Sequence, residues 1–330
     1  MTSDYCVFIG DAALDEHYRA DEWPQHGTKI EVEAVGAFPG GMIANAAVVY
    51  AGYGEQARFC WVMNDSPTTD SLLAGLSESG VDTQLVSRDE ALADSRCIIV
   101  SAGDEHTVLT PRTGLERIEL SDEALATITE ASYIYTAIGD LRMLRHRDRL
   151  PGEIIGEVHA AGAKLVLDLD VGDLRVGDDA LLGLADILFV NRVGMQHLAH
   201  GGSEAQAVAE LLSGRLQTLV VTLAEDGCRL YDADVVREIP GIQVDVVDVT
   251  GAGDTFGAAF LYALNRTGDA ELAAIFATAA SARAVTVAGA RAGATTSATV
   301  MDFIHDHRQF ADDRHTVLDS ALSTHNQSAP

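Results

Sequence analysis

Lysine is almost missing from this chain: Lys29 and Lys164 are the only two in 330 residues. Neither follows a glycine, so no G-x-x-x-x-G-K-[ST] phosphate loop is available. The D-F-G element of protein kinases is lacking as well, which removes that reading. No apolar run approaches the ~20 residues of a membrane-spanning helix. The four cysteines, Cys6, Cys60, Cys97 and Cys228, stand too far apart for zinc-site spacing and read as reduced core residues. The chain runs directly into Asp4-Tyr5-Cys6-Val7 without the basic segment of a secretory signal, so a cytoplasmic protein is expected.

Positive charge in general is scarce. Fifty acidic residues against twenty-two basic ones leave a net charge of −28, which repels nucleic acid and anionic membranes and excludes both as partners. The surface resembles the acidic style of proteins from salt-loving organisms. Multimolar salt shrinks the Debye length to about 3 Å or less and mutes the self-repulsion, so folding or activity is expected to improve with KCl.

The most informative stretch that is present is Asp248-Val249-Thr250-Gly251-Ala252-Gly253-Asp254-Thr255-Phe256-Gly257. It follows a β-rich run at 242–247 and opens an apolar helical run at 258–264. Glycines between strand and helix let backbone amides point at an anion, and the helix N-terminus adds positive potential there. Asp254 places a carboxylate inside that anion-binding turn. A dinucleotide fold is the serious rival, but Gly251, Gly253 and Gly257 are spaced one residue too long for its fingerprint. A carboxylate facing a pyrophosphate would also repel it by about 4 kcal/mol at ~4 Å and an effective dielectric near 20. An acceptor of a hydroxyl proton tolerates that cost, so the turn points to phosphoryl transfer. The plain alternative is a Gly-rich loop with an acid in the first helical turn.

A second Gly pair lies near the N-terminus, in Phe38-Pro39-Gly40-Gly41-Met42-Ile43-Ala44-Asn45-Ala46-Ala47. Gly40 and Gly41 allow close backbone approach, and Asn45 offers a polyol both a donor and an acceptor. A strand at 7–10 leads into a loop that carries Asp15, a bidentate acceptor suited to vicinal hydroxyls.

On these two segments the chain resembles the ribokinase-like sugar kinases, also called PfkB carbohydrate kinases, over roughly residues 5–300. The resemblance implies an α/β fold of three layers, α/β/α, with a mostly parallel central sheet and a small β-sheet lid. It implies ATP and Mg²⁺, Asp254 as catalytic base, and the amides of Gly251, Ala252 and Gly253 as an anion hole. It implies sugar contacts at Asp15, Gly40, Gly41 and Asn45, and a nucleotide loop at 220–227 with Thr222 and Gly227. Asp248 and Thr250, with the 285–290 region, resemble a site for a monovalent cation, K⁺ in particular. Lid segments are expected near 16–37 and 96–112, often shared in a homodimer, in a kinase domain spanning 1–300.

The chain departs from the family in four places. Asn191-Arg192-Val193-Gly194 stands where N-x-x-E orders magnesium, so Asn191 is kept and the Glu position is Gly194. Altered magnesium dependence is the expectation, since an ion that keeps its waters and leans on phosphates survives loss of an outer carboxylate. Ala224 replaces a glycine of the nucleotide loop, a mild change if its φ is negative. Leu167-Asp168-Leu169-Asp170 stands where D-x-N-x-R is common, which moves a phosphate-facing arginine to Arg175 or removes it. Met42 follows the Gly pair where sugar-phosphate-using members often carry lysine. An apolar side chain there favours a neutral sugar, sugar acid or nucleoside, unless Met42 merely packs and a distant arginine supplies the charge.

Strands are expected at 7–10, 59–62, 133–136, 165–169, 187–190, 219–223 and 228–231, with polar β-like stretches at 28–35 and 96–110. Helices are expected at 44–51, 66–79, 151–161, 204–212, 255–265 and 271–285. The acidic tail 301–330, with His305, His307, His315 and His325, reads as a solvated end. Two alternatives accompany the sugar kinase. One is a nucleoside kinase with Tyr18, Trp23 or Phe38 stacking on a base; the other is a metal-impaired sugar- or nucleotide-binding regulator.

Overall fold

Tyr5–Ile9 and Tyr133–Ala137 bury every residue along their length. Continuous burial of this kind belongs to parallel strands covered on both faces. The computed structural model describes residues 4–307, apart from 24, 104, 170–173 and 233–234, and residues 313–325. Its strands are β1 (Tyr5–Ile9), β2 (Ala13–Arg19), β3 (Glu33–Gly40), β4 (Gln56–Met63), β5 (Val81–Arg88), β6 (Arg96–Ala102), β7 (Glu105–Leu109), β8 (Ile118–Glu119), β9 (Tyr133–Ala137), β10 (Leu144–Arg145), β11 (Lys164–Leu169), β12 (Ile187–Asn191), β13 (Thr218–Thr222), β14 (Gly227–Tyr231) and β15 (Val236–Pro240). Its helices are α1 (Met42–Gly52), α2 (Pro67–Glu78), α3 (Asp122–Glu130), α4 (Ile138–Met143), α5 (Pro151–Ala161), α6 (Asp179–Leu182), α7 (Arg192–Leu198), α8 (Glu204–Leu212), α9 (Ala252–Thr267), α10 (Ala270–Ala284), α11 (Ser297–Asp306) and α12 (Asp313–His325).

Nine strands form the main sheet in the order β15-β14-β13-β12-β11-β9-β1-β4-β5. All pairs from β5 to β13 are parallel, and β14 and β15 add an antiparallel edge. The chain builds outward from β1 to β4 and β5, then returns to β9 and builds the other way. Right-handed crossovers therefore put α1 on one face and α5, α7 and α8 on the other. The strand order reverses between β1 and β9, and the crevice beyond the carboxyl ends of those two strands is the favoured ligand position in such sheets. Thr136 Oγ1 donates to the Ile9 carbonyl at 2.7 Å and ties the two strands together at that point.

Helix α9 lies across α1 and α10. Its run 255–263 is buried without interruption, which places its first turn firmly at the crevice. Helix ends follow their sequence signals. Pro151 opens α5, Gly162 closes it in the left-handed region, and Asp269 caps α10 by accepting from the Glu271 and Leu272 amides.

A separate four-stranded sheet, β3-β2-β6-β7, forms from the stretches expected as a lid. Asp15 lies within β2, opposite Phe38, and not in the loop expected for it. The β-like stretch at 28–35 becomes a strand only from Glu33 onward, and the run 242–247 forms no strand, because β15 ends at Pro240. The tail also departs from expectation. Helix α11 runs to Asp306, and α12 packs on α9 with Leu318 and Leu322 buried, so this segment is docked where a solvated end was expected. Cys6, Cys60 and Cys228 are buried and Cys97 half-buried, all as free thiols. Among the described residues no helix is long and apolar enough to cross a membrane.

Candidate active site

Three loops and two helix starts meet over the reversal point of the sheet. Gly251 caps α9 with φ +76°, and a β-carbon there would lie 1.9 Å from the Ala290 carbonyl oxygen, so only glycine lets the turn close against the 286–295 loop. Asp248 fastens the same two segments. It accepts from the Thr250 amide at 2.9 Å and the Gly289 amide at 2.8 Å. Burial works against its charge, yet these amides hold its carboxyl below the usual range. Both oxygens of Asp248 thus brace backbone, with Thr250 exposed beside it.

The Ala252 amide turns back to the Val249 carbonyl at 3.2 Å. The amides of Gly253 and Asp254, in the first helical turn, have no acceptor within the helix. Gly253 faces open space, and the helix end adds partial positive charge there. These two amides stand unsatisfied at the start of α9, whereas that of Ala252 is taken by Val249.

Asp254 faces α1 from that turn. Asn45, buried in α1, donates through Nδ2 to Asp254 Oδ2 at 2.9 Å. Burial pushes the Asp254 carboxyl up to about 8; the Asn45 hydrogen bond opposes this, while Asp168, Asp11 and Asp15 add to it. Asp168 itself accepts from the Tyr135 hydroxyl at 2.6 Å. Asp15 is buried, and burial raises its carboxyl too, against the pull of His17, Cys97 and Arg291. A β-carbon on Gly40 would sit 1.9 Å from Asp15 Oδ2, so the absence of a side chain is what admits the carboxylate. Gly41 begins α1 immediately afterwards.

Sequence reasoning missed Arg291. It comes from the 286–295 loop, donating through Nε to Asn45 Oδ1 at 3.1 Å and through Nη2 to the Gly40 carbonyl at 3.4 Å. The signal was an arginine among small residues, one position past the 285–290 region singled out for a cation. Arg291 is the arginine weighed against the argument from Met42: Met42 packs half-buried against the core, and the guanidinium stands nearby, engaged by Asn45 and the Gly40 carbonyl.

On the other side of the Gly253 edge opens a cavity of about 740 Å³. Asn191, Thr222, Gly227, Gln243, Thr278 and Ser281 give it polar points, and Ile242, Val246, Val249, Phe256 and Val285 give it apolar walls. Size and lining suit a purine nucleotide. Ala224 sits in its wall with φ +55°, so the condition for a mild substitution is not met and the residue is strained. Arg192 braces the same wall by donating to Asp226 at 2.6 Å and to the Leu223 carbonyl at 3.3 Å. Asp170 lies outside the described residues. Arg175 donates its amide to Asp178, which also holds Arg142 at 2.5 Å.

These residues do not build a cage for magnesium. Asn191 Oδ1 is taken by the Gly194 amide at 2.8 Å, as the cap of α7, and Gly194 brings no carboxylate. Among the described residues no three His, Cys, Asp or Glu side chains cluster as a protein metal site would need. A hard divalent ion would enter with the nucleotide, held mainly by phosphates and water. The tripeptide His146-Arg147-Asp148, an isolated match to a protein-kinase signature, belongs to a turn where buried His146 meets the Leu120 carbonyl at 2.9 Å.

A parallel sheet whose order reverses beneath a half-buried carboxylate, with unsatisfied helix-start amides beside a 740 Å³ cavity, is an arrangement that phosphoryl transfer to an alcohol could use. Residues 3–297 match the pfkB family of carbohydrate kinases, and the chain belongs to that family. A ribokinase of Bacillus subtilis is 26% identical over 301 residues, covering 91% of this chain and 98% of the relative. A probable fructokinase of Arabidopsis thaliana is 26% identical over 235 residues, 68% of this chain and 71% of the relative. Among solved structures, the Arabidopsis thaliana ribokinase complexed with ribose and ATP superposes with a TM-score of 0.79 at 23% identity, covering 92% of this chain and 99% of that one. The likeness to that structure concerns the fold.

Proposed function

We propose that this protein transfers the γ-phosphoryl group of ATP to a hydroxyl of a small neutral sugar or sugar acid. The observation that carries the reading is Asp254, half-buried beside the amide edge and hydrogen-bonded to Asn45 on the proposed acceptor side. The acceptor lies between Asp15, Asn45 and the Gly40–Gly41 backbone; the nucleotide fills the 740 Å³ cavity along Thr222, Gly227 and Asn191. The acceptor oxygen bonds to the γ-phosphorus as the bond to the β-phosphate oxygen breaks, and ADP leaves. The hydroxyl proton passes to Asp254 late in the transfer, so positioning matters more than base strength. The amides of Gly253 and Asp254 face the charge on the transferring group, an effect commonly worth about 3–4 kcal/mol per donor.

A nucleoside acceptor is the second reading. Phe38 favours it: it is 49% exposed, pairs with Asp15 across the lid strands and meets His17 edge-on at 5.5 Å between ring centres. The lid also exposes Val35, Val108 and Leu109, which suits cover by a second copy in a homodimer. The retained base argues against a binding-only regulator. A monovalent cation such as K⁺ at Asp248 and Thr250 remains part of the proposal.

Coupled ADP release from ATP and Mg²⁺ tests the reading, across ketoses, aldoses, 2-keto-3-deoxy acids and nucleosides, in molar KCl and again in NaCl or low salt. Acceptor-dependent turnover with one class is the expected result, faster in KCl. Ligand binding without turnover across the panel would replace the kinase with the binding protein.

A further inference from the structure

We propose that Arg291 is a positioning residue, which fixes the Asn45 carboxamide in the orientation that donates to Asp254. This rests on the reading of Asp254 as the group that takes the acceptor proton.

A carboxamide has nearly the same shape at both ends, so its surroundings must decide which end faces which neighbour. Arginine carries donors only. With Nε 3.1 Å from Asn45 Oδ1, the guanidinium claims the oxygen end and leaves Nδ2 for Asp254, 2.9 Å away. Turning the amide over would set an oxygen against the carboxylate and an NH₂ group against the guanidinium, two repulsive contacts in place of two attractive ones. Asn45 is 4% exposed, which leaves little room for water to substitute for either partner.

The arginine is itself held in place. The Gly40 carbonyl accepts from Nη2, and the loop that carries it is pinned on both sides. The Gly289 amide donates to Asp248, and Gly293 packs so closely on Thr255 that a β-carbon would lie 2.0 Å from Oγ1. The loop therefore connects the phosphate turn to the acceptor side through one side chain. Around Asp254 stand Asn45 from α1, Asp11 after β1, Asp15 from β2 with His17 next to it, and Asp168 from β11 with the Tyr135 hydroxyl from β9. Arg291 brings positive charge into this acidic set, and Asp15 and Asp254 in turn favour its charged form against the cost of burial.

The test compares wild type with Arg291→Met, Arg291→Lys and Arg291→Ala. Two readouts are needed: titration of the Asp254 carboxyl by ¹³C NMR in the acceptor-free protein, and turnover against pH at saturating acceptor. In Arg291→Met the titration moves to higher pH by about one unit and turnover at pH 7 falls at least tenfold, while the KM for ATP is unchanged. Free guanidinium restores part of the turnover of Arg291→Ala. A defect confined to the acceptor KM, with titration and pH profile unmoved, overturns the proposal and makes Arg291 an acceptor contact only. If the Met variant does not fold, Arg291→Lys decides, since lysine keeps the charge but places it at a single point. Wild-type titration and turnover in the Lys variant would likewise overturn it. Turnover retained in Asp254→Asn would refute the base reading, and the NMR titration of the Arg291 variants would still report on the side-chain geometry.

Discussion

The two halves of this cleft are made of different material. In the proposed reading, the half that faces the phosphates is backbone: the Gly253 and Asp254 amides, the left-handed Gly251 and the amides that Asp248 braces. The half proposed for the acceptor is side chains gathered from a strand of the small sheet, a core helix and a distant loop, namely Asp15, Asn45 and Arg291. Backbone geometry survives most substitutions except at its glycines, whereas a recognition site of side chains changes with one exchange. Such a division lets acceptor preference vary while the chemistry of transfer is kept.

Asp254→Asn sits on the boundary and has the largest expected effect. The fold and sugar binding persist and turnover falls more than a hundredfold; near-normal turnover would remove Asp254 from the chemistry. The same variant tests burial of the carboxyl. A group whose pKa rises from the ordinary carboxylate range to about 8 on folding binds more protons in the native state between those values. Its contribution to stability therefore falls as pH climbs from about 4 to 8. Urea unfolding should show Asp254→Asn gaining on wild type across that window, by about 2 kcal/mol near neutrality, less than the whole shift implies because water reaches the cleft. An unchanged difference at pH 5 and pH 8 would contradict the burial argument.

Asp15→Ala separates the halves. Loss of a charged hydrogen bond worth about 1.5–3 kcal/mol should raise the acceptor KM roughly 10–100-fold, with the KM for ATP within about twofold of wild type. An equal rise in both would dissolve the distinction. Ala224→Gly has the smallest effect. Relief of the left-handed alanine gives about 1–2 kcal/mol, and the extra freedom of an unfolded glycine takes back roughly 0.5–1 kcal/mol. A gain between zero and about 1.5 kcal/mol in thermal unfolding is expected, and any loss of stability would show that Ala224 is not strained.

The same contrast explains what could be read in advance. The helices Pro151–Ala161 and Glu204–Leu212 match their expected bounds to the residue, and Pro151 and the Ser203–Gln206 capping box are the local features that set their starts. The phosphate turn was legible because its chemistry is contiguous in sequence. Arg291 was not, since it meets Asn45 across 246 positions and only the folded loop brings them together. Asp15 was recognised as a residue and misplaced as a loop, because β2 alternates too weakly to announce a strand whose faces are only partly covered. The run 242–247 misled in the opposite direction: Val244 and Val246 line the 740 Å³ cavity, and the run pairs with no strand. The tail was misjudged because Leu318 and Leu322 are two apolar residues among many polar ones, too sparse a stripe to predict docking on α9.

The pairing of Ala13 with Gly40 and of Asp15 with Phe38 has a mechanical corollary. β2, an inner strand of that small sheet, is also the strand that carries Asp15, the carboxylate proposed to contact the acceptor. Any hinge motion of that sheet is a lever with Asp15 on its arm, so cover and grip travel together. Opening the door and letting go of the guest are one movement.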